Sequence, residues 1–311
     1  MLHFSRPQDE QLLAALAQPD GEASVVFDTD AFNEIDDQYA IAYGALAPNL
    51  KIEAVYAAPF HNKRSEGPED GMEKSHAEVV RLRDMLAGID KRIDFPVRKG
   101  ARAFLESDDE PVLSEAVDDL VERAMSRKEG RLFVVAIAAP TNIASALLAE
   151  PRIRDKIVVL WLGGQPYYWH TAWEFNLKQD PAASQILFDS GVPLVHVPCK
   201  NVAEHLRTTP GELTHFLHGR NALSEYLYKI TTGFMETESM LSKVIWDVAP
   251  VAWLRQPGLV LSNVSSSPIL TELFTWSRDA SRHFVRVAYD VDRDGVFRDL
   301  FQLLGVVGDT L

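Results

Sequence analysis

The sequence predicts an open, mainly parallel α/β sheet with helices on both faces, a Rossmann-like fold, and extra helices towards the C-terminal end. Three observations lead there. Five short segments, residues 24–27, 52–58, 132–138, 157–162 and 194–197, are β-branched or continuously apolar, as strands buried on both faces are. Amphipathic stretches of helical period separate them, at residues 37–46, 72–86, 112–126, 142–149 and 181–190. Strands that alternate with helices of this length form βαβ units, and their sheets bind ligands outside the carboxyl ends of the strands.

The elements follow in order. Residues 211–217 and 222–239 read as helices, 247–254 as a shorter one, 285–291 as a late strand and 295–304 as a closing helix. Residues 59–71 form one long polar loop, of the kind that carries function in compact domains. No Pro-, Gly- or Ser-rich linker and no internal repeat divides the 311 residues, so 1–311 is taken as a single domain.

Composition removes several classes. Apolar residues are 46% and charged residues 24% of the chain, as in an ordinary globular protein. The longest apolar runs, 132–140 and 157–164, are less than half of the roughly 20 residues that span a bilayer, so no membrane role is expected. A net charge of −14 opposes a nucleic-acid partner, because phosphate binding requires a basic surface. The single cysteine, Cys199, excludes a disulfide framework and a CxxC metal site, and it reads as a buried apolar residue rather than a nucleophile. The N-terminus shows no signal-peptide pattern, so a cytoplasmic enzyme is expected.

The strongest chemical signal is VVFDTDAFNEIDDQYA, residues 25–40. Asp28 and Asp30 end the first strand, and Asp36 and Asp37 open the next helix. Nine acidic residues and no Lys or Arg lie between Pro7 and Leu50, and five of them (Asp28, Asp30, Glu34, Asp36, Asp37) fall within ten residues. Like charges this close raise one another's pKa and need a counter-charge. A helix N-terminus offers only about half a positive charge. A divalent cation resolves the conflict, and an all-oxygen ligand set favours calcium or magnesium over zinc.

From here the chain resembles the inosine–uridine-preferring nucleoside hydrolases. Their signature is an N-terminal strand ending in DxD, a glycine-containing turn, and DD opening a helix. The turn here, AFNEI, is two residues longer and lacks the glycine, as in a divergent branch. Five further segments are similar in order: VRKGA at 97–101, VVAIAAPTNIASALLAEP at 134–151, VVLWLGGQP at 158–166, WEFNLKQDPAASQILFDSGVPLVHVP at 173–198 and IWDVAPVAWL at 245–254. Leu162 stands where the family has methionine, and Trp246 where it has the histidine of a late HD pair.

The resemblance implies a calcium-dependent hydrolase that cleaves the N-glycosidic bond of a ribonucleoside or related riboside. Calcium would be held by Asp30, Asp37, the carbonyl of Thr141 and Asp247, with Asp30 as general base. Asp36, Glu174 and Asn176 would bind ribose hydroxyls. His61, Asn62 and Asn33 compete for a further asparagine position, with Asn62 the choice carried forward. Trp246 would stack on the substrate, among the aromatic residues Tyr167, Tyr168, Trp169 and Trp173. With histidine absent beside Asp247, His61, His170 and Glu34 are the alternatives for a general acid. The family likeness also implies a homodimer or homotetramer.

Two other readings stay open. FDTD after an apolar strand also suits the DxD of haloacid dehalogenase-type phosphatases, although AFNEIDD departs from that pattern. A protein of the same fold could also hold calcium and sugar without turnover. One motif is discounted: Asp290, Asp292, Asp294 and Gly295 match half an EF-hand loop, but position twelve is Phe301, so a helix capped by Asp292 or Asp294 is expected.

Overall fold

A computed structural model describes Phe4 and residues 6–305. Its centre is an eight-stranded sheet of β1 (Ala23–Thr29), β2 (Leu50–Ala57), β3 (Val97–Lys99), β4 (Leu132–Ala136), β5 (Ile157–Leu162), β6 (Leu194–Val197), β7 (Val260–Ser266) and β8 (Phe284–Val291), in the spatial order β3-β2-β1-β4-β5-β6-β8-β7. Every pairing is parallel except β8 with β7, which closes one edge antiparallel. The mainly parallel sheet expected from the sequence is present.

Each strand divides its side chains between two cores, as the alternation of a pleated strand requires. Val25, Phe27, Val55 and Val135 enter one, with the helices α1 (Asp37–Leu46), α2 (Pro68–Ile89), α6 (Ala222–Thr237), α7 (Val248–Arg255) and α8 (Arg293–Leu303). Val26, Tyr56, Val134 and Trp161 enter the other, with α3 (Glu115–Ser126), α4 (Thr141–Ala149) and α5 (Pro181–Asp189). Burial on both faces is why these strands read as continuous apolar runs.

Strand order reverses at β1. The chain runs from β1 outward through β2 and β3, then returns to pair β4 on the opposite side of β1. The carboxyl ends of β1 and β4 therefore diverge at a topological switch point, where open α/β sheets place their ligands.

Local differences from expectation have local causes. The polar loop is shorter than residues 59–71 because α2 starts at Pro68, with proline in its first turn and Glu69 and Asp70 beside the helix N-terminus. Helix α3 begins at Glu115, where the Ser114 hydroxyl accepts from the Val117 N–H at 3.3 Å. Strand β7 was not anticipated; LSNVSS carries too few apolar residues, because an edge strand with an exposed face needs few. Asp292 caps α8 by accepting from the Gly295 N–H at 3.0 Å, so this aspartate belongs to the helix cap and not to a calcium loop.

Two of the matched motifs brace the switch point from behind. Asn142 Nδ2 donates to Asp28 Oδ1 at 2.7 Å, and its Oδ1 accepts from the Ala101 N–H at 2.7 Å, tying β1, α4 and the end of β3 together. Gly100 makes this approach possible: a Cβ there would lie 2.1 Å from the Ala57 carbonyl oxygen and 2.4 Å from Asn142 Nδ2. Both neighbours are held in place, so Gly100→Ala should cost about 3 kcal/mol of stability. Thermal unfolding measures this; a variant as stable as the wild type would refute the tight-approach account.

Candidate active site at the switch point

The site grows from the end of β1. Asp28 lies inside the strand, fully buried behind the site, and burial raises its carboxyl to about 7 despite the bond from Asn142. Asp30 ends the strand. The turn then carries Phe32 at φ 86°, a left-handed conformation that glycine adopts freely and a phenylalanine adopts at a cost of about 1–2 kcal/mol. Its ring lies under the Arg64 guanidinium at 4.6 Å, while Arg64 also donates to the Asn33 carbonyl at 3.3 Å. Tertiary contacts thus hold a turn that lacks the usual glycine.

Asp36 and Asp37 open α1, yet neither acts as its side-chain cap. Asp36 stands at the cap position with no side-chain capping bond. Its Oδ2 accepts from the Trp246 N–H at 3.1 Å, and its Oδ1 lies 3.5 Å from Lys243 Nζ. Asp37 Oδ1 accepts from the Thr29 hydroxyl at 2.5 Å. Asp247 precedes α7, also without a capping bond. Asp36, Asp37 and Asp247 each bring a carboxylate oxygen within 4.8 Å of the other two.

Electrostatics follow from this crowding. Asp30, Asp36, Asp37 and Asp247 are each at most 5% exposed. Burial, followed by the neighbouring carboxylates, raises Asp30 and Asp247 well above the carboxylate range and Asp37 to about 8. Asp36 is also raised by burial, but Lys243 opposes the shift. The donor set is all oxygen, concentrated and short of positive charge, which suits a hard divalent cation.

A cavity of about 460 Å³ opens over this floor. Asp30, Asp36, Asp37, Asn62, Glu174, Asn176, Trp246 and Asp247, all expected from the sequence, line it. Glu174 accepts from the Asn176, Leu177 and Gly164 N–H groups, so it caps the short helix Phe175–Gln179 while facing the cavity; burial raises its carboxyl. Asn176 donates to the Leu162 carbonyl at 2.9 Å. Asn33 and Asn62, two of the candidates for the asparagine position, bond to each other: Asn62 Nδ2 donates to Asn33 Oδ1 at 2.5 Å, and Asn33 Nδ2 donates to Asp30 Oδ2 at 3.1 Å.

Other expected residues lie elsewhere. Thr141 does not line the cavity; its hydroxyl donates to Asp180 Oδ2 at 2.7 Å. His61 is exposed outside the cavity, with its N–H bonded to Gln179 at 2.7 Å. His170 is also exposed and packs near Trp169. Glu34, by contrast, does line the cavity, and Lys243 Nζ lies 2.5 Å from its Oε2. Among the five aromatic residues only Trp246 lines the cavity; Tyr167 belongs to a buried cluster with His196, Phe188 and Trp276. Cys199 lines it too, its thiol pushed up by burial. Lys243 escaped sequence reasoning altogether, since nothing in its spacing links it to a turn 209 residues earlier.

With this geometry in place, relatives can be compared. Residues 25–298 match the inosine–uridine preferring nucleoside hydrolases. The chain belongs to that family. The pyrimidine-specific ribonucleoside hydrolase RihA of Salmonella typhimurium strain LT2 is 24% identical over 253 residues, covering 72% of this chain and 77% of its own. The RihA of Klebsiella pneumoniae strain 342 is 26% identical over the same shares. Among solved structures, a purine-preferring ribonucleoside hydrolase from Gardnerella vaginalis superposes with a TM-score of 0.74 at 21% identity, covering 91% of this chain and 98% of the other. A plant nucleoside hydrolase gives 0.71 at 20%, over the same shares. This nucleoside hydrolase is therefore an N-glycosyl hydrolase of a divergent branch, and the phosphatase alternative falls away. No helix among the described residues is long and apolar enough to cross a membrane.

The raised carboxyls set a pH dependence. In the unfolded chain Asp28 and Asp37 ionise near 3.8, whereas in the fold they keep their protons to about 7 and about 8. Between those values the folded state binds more protons, so stability of the metal-free protein should fall as pH rises from about 4 to about 8, by up to about 1.4 kcal/mol per unit for each group. A divalent cation such as calcium that binds these carboxylates has to displace their protons, so its stabilisation should grow over the same window and shrink in Asp247→Asn. Melting curves in EDTA and in calcium at several pH values measure both. A metal-free midpoint that climbs towards pH 8, or a calcium shift independent of pH, would refute this assignment.

Proposed function

We propose that this protein hydrolyses the N-glycosidic bond of a ribonucleoside or related riboside with the help of calcium, acting as a single domain. The observation that carries the reading is the convergence of the buried Asp36, Asp37 and Asp247 carboxylates, with Asp30 beside them, on the floor of one cavity. Asp37, Asp247 and Asp30 would hold the ion; Asp36, already paired with Lys243 and accepting from the Trp246 N–H, is assigned to the sugar. The Thr141 carbonyl does not enter this set, because Thr141 lies outside the cavity wall. Calcium, when bound, supplies a Lewis acid that acidifies water and orients vicinal hydroxyls.

The chain's own groups do the rest. Asp30, whose carboxyl is raised by burial and by Asp37, is assigned as the general base. Asn33 orients it through Oδ2. Asn176, Glu174 and Asn62 bind the sugar hydroxyls, and the negative floor stabilises the oxocarbenium-like state at the anomeric carbon. Family membership and the ring of polar side chains around an acidic floor support a small nucleoside-like substrate rather than a polymer. On its resemblance to the family we read the protein as a cytoplasmic homodimer or homotetramer.

The base assignment has a direct test. Asp30→Asn should lower kcat by at least about 10²-fold while ribose still binds. A variant that keeps most of its turnover with metal bound would remove Asp30 from the mechanism.

Leaving-group chemistry gives a second test. No histidine lines the cavity, and the Trp246 indole N–H cannot deliver a proton at neutral pH. Arg64 and Lys200, both on the cavity wall, instead favour a group that departs as an anion. Nitrophenyl riboside should therefore exceed inosine in kcat/KM by roughly 10²-fold, and Trp246→His should narrow the gap. Equal rates in the wild type would reveal an acid elsewhere; ribose binding without turnover of either substrate would mark a binding protein.

A further inference from the structure

Lys243 stands where a buried lysine is least expected, 4% exposed and at the edge of the aspartate cluster. Its Nζ lies 2.5 Å from Glu34 Oε2 and 3.5 Å from Asp36 Oδ1, donates to the Val244 carbonyl at 2.8 Å, and sits 5.7 Å from the centre of the Phe234 ring. A buried ammonium is costly unless it is paired and hydrogen-bonded, and here it makes two hydrogen bonds, to Glu34 and to the Val244 carbonyl, beside the Asp36 carboxylate. The contacts reach two places at once. Glu34 lies in the turn between Asp30 and Asp36, while Asp36 accepts on its other oxygen from the Trp246 N–H, in the segment that carries Lys243 and Asp247. One short stretch, residues 243–247, thereby fixes the acidic turn, holds Asp36 from both sides and delivers Asp247.

We propose that Lys243 is a positioning residue of this site: its ammonium is the resident counter-charge that locks Asp36 and the acidic turn in place, a task it shares with the bound divalent cation. Only the sharing rests on the calcium reading above. Four buried aspartates and Glu34 confront a single buried cation, so the site stays negative enough to take a divalent ion, yet keeps its shape without one. Removing the lysine leaves Asp36 and Glu34 facing each other with no cation between them. The metal-free site should then open, and calcium should have more repulsion to relieve.

The test is a cycle of wild type, Lys243→Met, Glu34→Gln and the double variant, melted in EDTA and in calcium, with ribose affinity measured by calorimetry in calcium. Lys243→Met should lower the metal-free midpoint by about 5 °C or more and weaken ribose binding about tenfold. Its calcium-induced rise should exceed that of the wild type. Glu34→Gln, which removes an opposing charge from a half-exposed side chain, should restore at least half of the loss in the Met background, a coupling that mere packing would not produce. Strictly additive effects, an unchanged ribose affinity, or equal calcium shifts in wild type and Lys243→Met would overturn the proposal. If calcium moves none of the four proteins, the metal reading fails, and the metal-free cycle with ribose binding decides the role of Lys243. Should Lys243→Met not fold, a folded double variant supports the counter-charge role, and failure of both overturns it.

Discussion

Burial of like charge at the switch point is the constraint from which the rest of this site follows. Four aspartates at most 5% exposed cannot all ionise in a low-dielectric crevice without compensation. The fold compensates in instalments: the Thr29 hydroxyl on Asp37, the Trp246 N–H and Lys243 on Asp36, and Asn33 on Asp30. None of these neutralises Asp37 or Asp247, whose carboxyls remain raised. A protein that stored so much repulsion for no use would be less stable than one with serines in the same places. The repulsion has a use where a divalent ion and an incipient sugar cation meet.

Behind the floor lies a frame whose members never touch the cavity. Asn142 joins Asp28 to Ala101, and Asp180 accepts from Thr141 and from the Leu105 N–H while capping α5. These bonds explain why short polar motifs follow β3 and β4 and precede α5. At a parallel strand's end the backbone loses its ladder partners, and buried side chains must replace them. Thr141 shows the limit of motif reading. The pattern points to its backbone carbonyl, while its hydroxyl serves the frame through Asp180.

Periodicity made the central strands and helices legible, because burial on both faces leaves runs such as Ile157–Leu162 with no polar interruption. Charge density made Asp30, Asp36 and Asp37 legible, since a short acidic run at a strand end has few structural uses. What stayed hidden depended on long-range placement. Lys243 pairs with a residue 209 positions away, and the Asn33–Asn62 contact spans 29. The exposed face of β7 erased its apolar signature. Aromatic residues near the motifs were equally ambiguous: Tyr167 and Trp276 pack around a buried His196, which that burial lowers to about 4.

Floor and rim answer to different pressures. The floor is built on strand ends and helix starts, whose positions the hydrogen-bonded sheet fixes, and there the acidic pattern is intact. The rim is built from the loop after β2, the end of α6 and the segment before α7, all joined by side-chain contacts such as the ion pair between Lys63 and Glu238. Two departures from the family pattern meet there, the longer turn with Phe32 in a left-handed conformation and Trp246 beside Asp247, with Lys243 held against Glu34. They are also physically connected, because the segment carrying Trp246 and Lys243 is the one that clamps the turn through Glu34 and Asp36. Asp36 follows that turn directly, and both Lys243 and the Trp246 N–H hold it. The segment that anchors Asp36 is thus also the one that sets an indole, and not an imidazole, beside Asp247.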